Sequence, residues 1–140
     1  MASRSKLQVL LVDDDAAVRE SLAMLLSSCG YEVKTASNGL EGLAQMKETL
    51  PDIVISDLNM PRMSGYEFLS VIRGQFPQVL SVAMSGAHKG PSVPAGVAAH
   101  AFFRKGENVL RLPAIVADLT ENSPVRSRGK GVVSATQPAA

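Results

Sequence analysis

The 140-residue sequence contains one cysteine, no tryptophan and few aromatic residues, which make up 4% of the chain. The single cysteine, Cys29, excludes an intrachain disulfide, as is usual in a reducing compartment. No apolar run approaches the roughly 20 residues that a membrane-spanning helix needs. The largely apolar run of residues 7–12 is too short for a signal peptide and is followed by aspartates. These absences predict a cytoplasmic protein without a membrane segment.

The chain also lacks a strong charge of either sign. Its formal net charge is +1, which favours neither a nucleic-acid partner nor an anionic membrane. Hydrophobic residues make up 46% of the sequence, enough for one domain with a real core. Periodicity stops near Glu121, so we predict a folded domain over residues 1–120 and a flexible tail over residues 121–140. We interpret the tail's cations as solvated linker charges.

Short apolar runs alternate with longer amphipathic segments along the chain. The runs predict strands, and helical spacing of apolar residues predicts helices between them. The predicted strands are residues 7–12, 31–36, 52–56, 79–84 and 99–103, and the predicted helices are residues 13–30, 37–50, 64–76 and 107–120. A further helix should lie in residues 86–99, where Pro91 and Pro94 predict a short or irregular one.

Three helices carry finer signals. Ser64 followed by Glu67 predicts a capping box at the start of the third of these helices. Leu40, Leu43, Met46 and Leu50 have the spacing of one face of the second helix. Pro113 should lie near the first turn of the last helix, because a proline farther inside would bend or break it.

Polar residues stand at the carboxyl ends of several predicted strands. Such repeats of strand and helix predict a parallel sheet with helices on both faces, and ligands bind at the carboxyl edge of such sheets. The residues at this edge are Asp13, Asp14, Asp57, Ser85 and Lys105. Three clustered carboxylates would repel one another. A hard divalent cation such as Mg²⁺ removes that repulsion.

Four motifs carry a family resemblance. The segments VDDD (12–15), DLNMPRMSG (57–65), MSG (84–86) and FFRKG (102–106) closely resemble the receiver domain of bacterial two-component response regulators. The resemblance covers about residues 6–119. It implies an α/β, flavodoxin-like, doubly wound sheet of five parallel strands in the order 2-1-3-4-5, with five helices.

The resemblance also implies roles for the polar residues. Asp57 matches the phosphoacceptor, which receives a phosphoryl group from a histidine kinase or a phosphotransfer protein. Asp13 and Asp14 match the acidic pair that holds Mg²⁺ together with Asp57 and the backbone carbonyl of Asn59. Lys105 matches the lysine that pairs with an acyl-phosphate oxygen.

Ser85 and Phe102 match the two switch positions of the family. The serine hydroxyl moves to the phosphoryl group, and the aromatic side chain fills the space that it leaves. The resemblance thus implies a phosphoacceptor that signals by contact with a downstream protein and catalyses no reaction on other molecules. It implies no contact of this domain with nucleic acid or membrane, and it allows a weak homodimer.

One departure from the family concerns the residue after Lys105. The family usually has a proline there, preceded by a cis peptide bond, whereas this chain has Gly106. A cis bond before a residue other than proline costs about 2.5–4 kcal/mol. We therefore predict a trans bond or an altered loop around Lys105.

Two other functions compete with the receiver interpretation. Asp13 and Asp15 after a strand also resemble the nucleophile motif of haloacid dehalogenase-like phosphatases, although Ala17 stands where that family expects Thr or Val. A docking module that works without phosphorylation, on the same fold, is the other alternative. The proline-rich segment in place of a fourth helix favours that alternative.

Overall fold

The computed structural model of the protein describes residues 6–86 and 96–122. These residues form five strands and four helices. The strands are β1 (Gln8–Val12), β2 (Glu32–Ala36), β3 (Ile53–Asp57), β4 (Leu80–Ser85) and β5 (Ala101–Arg104), and the helices are α1 (Ala16–Ser28), α2 (Gly39–Glu48), α3 (Gly65–Gln75) and α4 (Arg111–Glu121). Within this part of the chain, no helix is both long enough and apolar enough to cross a membrane.

The strands form one parallel sheet in the order β2-β1-β3-β4-β5, which confirms the predicted fold class. β3 is central and all five of its residues are buried, as expected for a strand covered on both faces. Its register places Val12 of β1 opposite Ser56, and Met84 of β4 opposite Asp57. The carboxyl ends of three strands therefore meet beside Asp57.

Apolar side chains from alternate positions of each strand build one core on each face of the sheet. Leu11 and Ile55 belong to the core beneath α1 and α4, whereas Leu10 and Val54 belong to the core beneath α2 and α3. This period of two follows from the pleat of the strands. Helices on both faces leave the strand ends as the open edge.

Two of the three helix predictions are confirmed. Ser64 and Glu67 form a capping box, in which each side chain accepts the other's backbone N–H. Pro113 is the third residue of α4, where its missing N–H costs no intrahelical bond. The predicted face of α2 is only partly correct: Met46 is buried, but Leu40 and Leu50 are 49% and 37% exposed. Gly39 and Gly42 are buried in their place.

Several segment boundaries differ from the prediction, and the start of the last helix differs by the most. The last helix begins at Arg111 instead of residue 107, because Asn108 accepts the Leu110 N–H through its side chain and the Arg111 N–H through its backbone carbonyl. Because of these two hydrogen bonds, the helix begins about one helical turn later in the sequence than predicted. The predicted irregular fourth helix falls mainly on residues 87–95, which lie outside the described residues; residues 96–100 form neither helix nor strand.

Candidate functional site

Three carboxylates meet at the carboxyl edge of the sheet. Asp13 follows β1 and Asp57 ends β3, and both are buried, whereas Asp14 is exposed. One carboxylate oxygen from each of the three lies within 4.8 Å of the others. The structure thus brings together the acids that the sequence predicted, two of them away from water and one at the solvent side.

Lys105 lies between the two buried carboxylates. Its Nζ is 2.9 Å from Oδ2 of Asp13 and 3.2 Å from Oδ1 of Asp57. The backbone N–H of Lys105 donates to the carbonyl of Ser85. The bond to Gly106 is trans, as predicted, and Gly106 has φ +95°, a conformation that glycine adopts without strain. The loop after β5 therefore reaches the site without a proline.

Burial and the neighbouring charges shift the pKa values of Asp57 and Lys105. Burial raises the pKa of Asp57 above its ordinary value, Lys105 opposes this, and the charge of Asp13 adds to it. The backbone N–H of Asn59 also hydrogen-bonds the Asp57 carboxylate and lowers its pKa. Burial alone would lower the pKa of Lys105, but hydrogen bonds and charge from Asp13 and Asp57 raise it. Lys105 is consequently held as a cation, and Asp57 is left short of compensating positive charge.

The turn between β1 and α1 is held by several hydrogen bonds. The N–H of Asp13 donates to Ala36 of β2, and Oδ1 of Asp13 accepts the N–H of Asp15 at 2.9 Å. Asp15 itself caps α1 by accepting the N–H groups of Ala17 and Val18. The second acid of the phosphatase-like motif is therefore used as a helix cap.

Arg19 is a residue of this turn that the sequence analysis missed. It lies in the first turn of α1, and its Nη1 donates to the backbone carbonyl of Asp13 at 2.7 Å. A signal was present in the sequence, because a cation near a helix N-terminus opposes the helix dipole. Such a position indicates that the arginine has another partner.

The loop after Asp57 is packed tightly against the end of β3. A Cβ atom at Gly65 would overlap the carbonyl oxygen of Asp57 and come within 2.6 Å of the Leu58 Cα. The N–H of Gly65 donates to the carbonyl of Leu58 at 3.0 Å. Between them, Arg62 has φ +70°, a left-handed conformation that costs a residue with a side chain about 1–2 kcal/mol. Only glycine at position 65 lets α3 begin this close to Asp57.

The predicted switch residues are both buried. Ser85 ends β4 and is 2% exposed. Phe102 is 8% exposed and packs in the core beneath α2 and α3, where Val97 and Ala99 lie at its margin. The structure thus places Ser85 on β4, next to β3, and Phe102 on β5, next to β4, with the aromatic ring directed inward.

The donor set fits a hard divalent cation. It consists of carboxylate oxygens, the ligands that Mg²⁺ prefers, and the exposed side of Asp14 leaves room for water and phosphate oxygens. Lys105 supplies one positive charge against three carboxylates. The remaining negative charge makes Asp13, Asp14 and Asp57 a site that can bind a metal ion.

Comparisons with known proteins agree with this geometry. Residues 9–116 match the response regulator receiver domain family. The chain is 34% identical over 108 residues to a protein-glutamate methylesterase/protein-glutamine glutaminase of Anaeromyxobacter dehalogenans, covering 77% of this chain and 30% of that relative. This chain therefore spans less than a third of that protein's length.

Two solved structures share the fold. The chemotaxis response regulator CheY4 of Vibrio cholerae is 30% identical, with a TM-score of 0.76 over 82% of this chain and 99% of that one. The response regulator TrrA of Thermotoga maritima, solved in complex with Mg²⁺-BeF, is 32% identical, with a TM-score of 0.74 over 81% and 98%. The matched residues include part or all of each of the five strands and the acidic site, and the chain belongs to the response regulator receiver domain family.

Proposed function

We propose that the protein accepts a phosphoryl group on Asp57 from a phosphohistidine of a histidine kinase or phosphotransfer protein. A carboxylate oxygen of Asp57 forms a bond to phosphorus while the phosphorus–nitrogen bond of the donor breaks. The imidazole of the donor leaves with the electron pair and takes up a proton. The product is an acyl phosphate on Asp57.

The observation that carries this proposal is the position of Lys105 against Asp13 and Asp57. At 2.9 and 3.2 Å from the two carboxylates, its ammonium group is where a transferred phosphoryl oxygen needs a counter-charge. Phosphoryl transfer depends mainly on positioning and charge neutralisation. Asp57 meets the first requirement because it is the last residue of a fully buried strand.

Mg²⁺ is the cation that we propose for this site, held by Asp13, Asp14, Asp57 and the backbone carbonyl of Asn59. When bound, it neutralises charge on the phosphoryl oxygens and draws donor and acceptor together. The chain's own part is to present the carboxylates and to keep Asp57 unprotonated as the nucleophile. Lys105 favours the ionised form of Asp57 against the effect of burial.

Ser85 and Phe102 would transmit the change of state. A phosphoryl group brings about −1.5 to −2 charge to the site, which attracts the Ser85 hydroxyl from the neighbouring strand end. The buried ring of Phe102 would then stay packed in the space behind Ser85. Such coupling links the site to the surface around β5, where a downstream protein would bind.

The proposed partners are therefore proteins: the phosphodonor and a downstream target, with a weak homodimer as one form of output. We propose no contact of this domain with nucleic acid or membrane, and a cytoplasmic location. The TrrA complex with Mg²⁺-BeF supports Mg²⁺ as the ion.

Incubation with Mg²⁺ and acetyl phosphate, followed by intact-mass measurement, tests the proposal. We expect one labile adduct of about 80 Da, a single phosphoryl group, that disappears in Asp57→Asn. Asp118→Asn is the matched control, because it removes an exposed carboxylate of α4 and should leave the adduct in place. An adduct that persists in Asp57→Asn would contradict the assignment of the acceptor.

The competing functions give different results in the same assay. Loss of phosphate-ester turnover in Asp13→Asn but not in Asp57→Asn would support a phosphatase. A wild-type protein that neither gains the adduct nor binds Mg²⁺ would support a docking module that is independent of phosphorylation.

A further inference from the structure

We propose that Arg19 is a positioning residue for cation binding: it holds the peptide unit that joins Asp13 to Asp14 and so orients both carboxylates. The inference rests on the proposed function, because it concerns the ion that the acidic site would bind. Arg19 touches neither carboxylate in this role. It acts through the backbone between them.

The contact is short and charged. Nη1 of Arg19 lies 2.7 Å from the backbone carbonyl oxygen of Asp13, and hydrogen bonds with an ionised donor are shorter and stronger than neutral ones. The side chain is half-buried, so water competes less for the carbonyl than it would at an exposed position. This contact spans six residues of the chain and ties α1 to the end of β1.

The carbonyl that accepts this bond belongs to the peptide unit between Asp13 and Asp14. A change of the Asp13 ψ angle that the Asp14 φ angle does not compensate would turn the two carboxylates relative to each other, since each side chain projects from the Cα atom at one end of this unit. The neighbouring backbone groups are anchored as well: the Asp13 N–H by Ala36 and the Asp15 N–H by the Asp13 side chain. Arg19 therefore completes a turn in which successive peptide units are held.

The position of Arg19 is otherwise unfavourable. A cation in the first turn of a helix opposes the helix dipole, and a cation near an acidic site repels a metal ion. Glu41, the carboxylate whose pKa the charge of Arg19 helps to lower, is bound mainly by the N–H and hydroxyl of Ser37. The carbonyl of Asp13 is thus the contact that accounts for an arginine at this position.

Charge and geometry predict opposite effects on cation affinity, which makes the proposal testable. If Arg19 acted only through its charge, Arg19→Met would bind Mg²⁺ more tightly, because a repelling charge is gone. If Arg19 orients the carboxylates, Arg19→Met binds Mg²⁺ more weakly. Loss of a group that holds a metal ligand in place typically lowers metal affinity about tenfold or more.

Isothermal titration of the full chain with MgCl₂ measures the difference. We expect about a tenfold weaker affinity in Arg19→Met, an intermediate affinity in Arg19→Lys, and wild-type affinity in Arg73→Met. Arg73 is the matched control, because it removes the same charge from the last turn of α3. Far-UV circular dichroism in EDTA verifies that each variant is folded. If Arg19→Met does not fold, the Mg²⁺ affinity of Arg19→Lys is the test: a weaker affinity than wild type supports the inference, and an equal or tighter one overturns it.

The rate of phosphorylation by acetyl phosphate gives a second readout. The Arg19 variants should need more Mg²⁺ for half-maximal rate but reach a near wild-type rate at saturation, because the reacting groups are unchanged. Equal or tighter Mg²⁺ binding in Arg19→Met would overturn the inference while leaving the proposed function intact. Absence of Mg²⁺ binding by the wild type would overturn both.

Discussion

Two aspartates flank β3, and the chain uses them in different ways. Asp52 lies just before the strand, and its Oδ2 accepts the backbone N–H of Gln8 at 2.8 Å. Asp57 ends the strand, and its carboxylate faces Lys105 and Asp13. One acid completes the hydrogen bonding of the sheet at its amino edge, whereas the other faces charged groups at its carboxyl edge.

The same contrast holds for other polar groups at the two edges. At the amino edge, His100 accepts the backbone N–H of Ser81 through Nδ1 at 3.1 Å. At the carboxyl edge, Lys105 pairs with two carboxylates. Side chains that hydrogen-bond backbone groups stabilise the fold. Buried charged side chains that lie close to one another instead indicate the functional site. Substitutions at either edge of the sheet can test this division.

The largest effect is expected where the site depends on close packing. Gly65→Ala would force a methyl group into the Asp57 carbonyl and Leu58, which should lower the free energy of unfolding by about 3 kcal/mol or more. Gly74→Ala in the same helix is the control, since its Cβ would meet nothing within 4 Å. It should raise stability by about 0.5–1 kcal/mol. Urea unfolding measures both, and equal changes would contradict the packing argument.

Substitutions of the two aspartates should have opposite effects: Asp52→Ala should lose stability and keep phosphorylation, whereas Asp57→Asn should gain stability and lose phosphorylation. Asp52→Ala leaves the Gln8 N–H without its acceptor and should cost about 1–3 kcal/mol, with phosphorylation retained. Asp57→Asn should abolish phosphorylation and raise stability at neutral pH without Mg²⁺, because an ionised group whose pKa is raised by burial destabilises the folded state. Unfolding curves and intact mass give the two readouts. If Asp57→Asn were less stable than the wild type, Asp57 would contribute to the fold, which would contradict this distinction between the two acids.

Arg62 provides a smaller test at the carboxyl edge. Its left-handed backbone should make Arg62→Gly more stable by about 0.5–1 kcal/mol, which is the relief of strain less the added entropy of the unfolded chain. Arg73→Gly, inside α3, should instead lose about 1 kcal/mol. Thermal unfolding of the two variants is sufficient, and a loss of stability in both would show that the Arg62 side chain contributes contacts.

The smallest effect concerns pH at the amino edge. Burial, and then the charge of Arg73, lower the pKa of His100, so the unfolded chain binds a proton more readily than the folded one. The free energy of unfolding should therefore fall as pH decreases below about 6.5, the ordinary histidine pKa. His100→Asn should show less of this decline in urea unfolding at pH 5 and pH 7.5. The other histidine, His88, is present in both proteins and does not affect the difference.

The sequence predicted much of the fold because its signals were local. Short apolar runs between amphipathic segments defined the strands, and Ser64 with Glu67 defined a helix start. Leu40 was assigned wrongly because two small residues, Gly39 and Gly42, face the core instead. Large side chains dominate a periodicity analysis, but Gly39 and Gly42 lie against Met63 and Phe68 of the neighbouring segment, a contact that only tertiary structure reveals.

The sequence predicted the charged side chains of the site but not the backbone contacts that hold them. Their positions at strand ends pointed to Asp13, Asp14, Asp57, Ser85 and Lys105. The structure brings oxygens of the three acids within 4.8 Å of one another and pairs Lys105 with Asp13 and Asp57. Arg19 was missed because its partner is a backbone carbonyl, which no side-chain motif marks.

The sequence by itself determined the order of strands and helices, the family, and which residue types stand at the carboxyl edge, because each depends on local pattern and spacing. Only the tertiary structure decided which acid is buried, which caps a helix and which completes the sheet. Asp13, Asp15, Asp52 and Asp57 are chemically identical. Their roles differ because the fold gives them different neighbours: Lys105 for Asp13 and Asp57, and backbone N–H groups for Asp15 and Asp52.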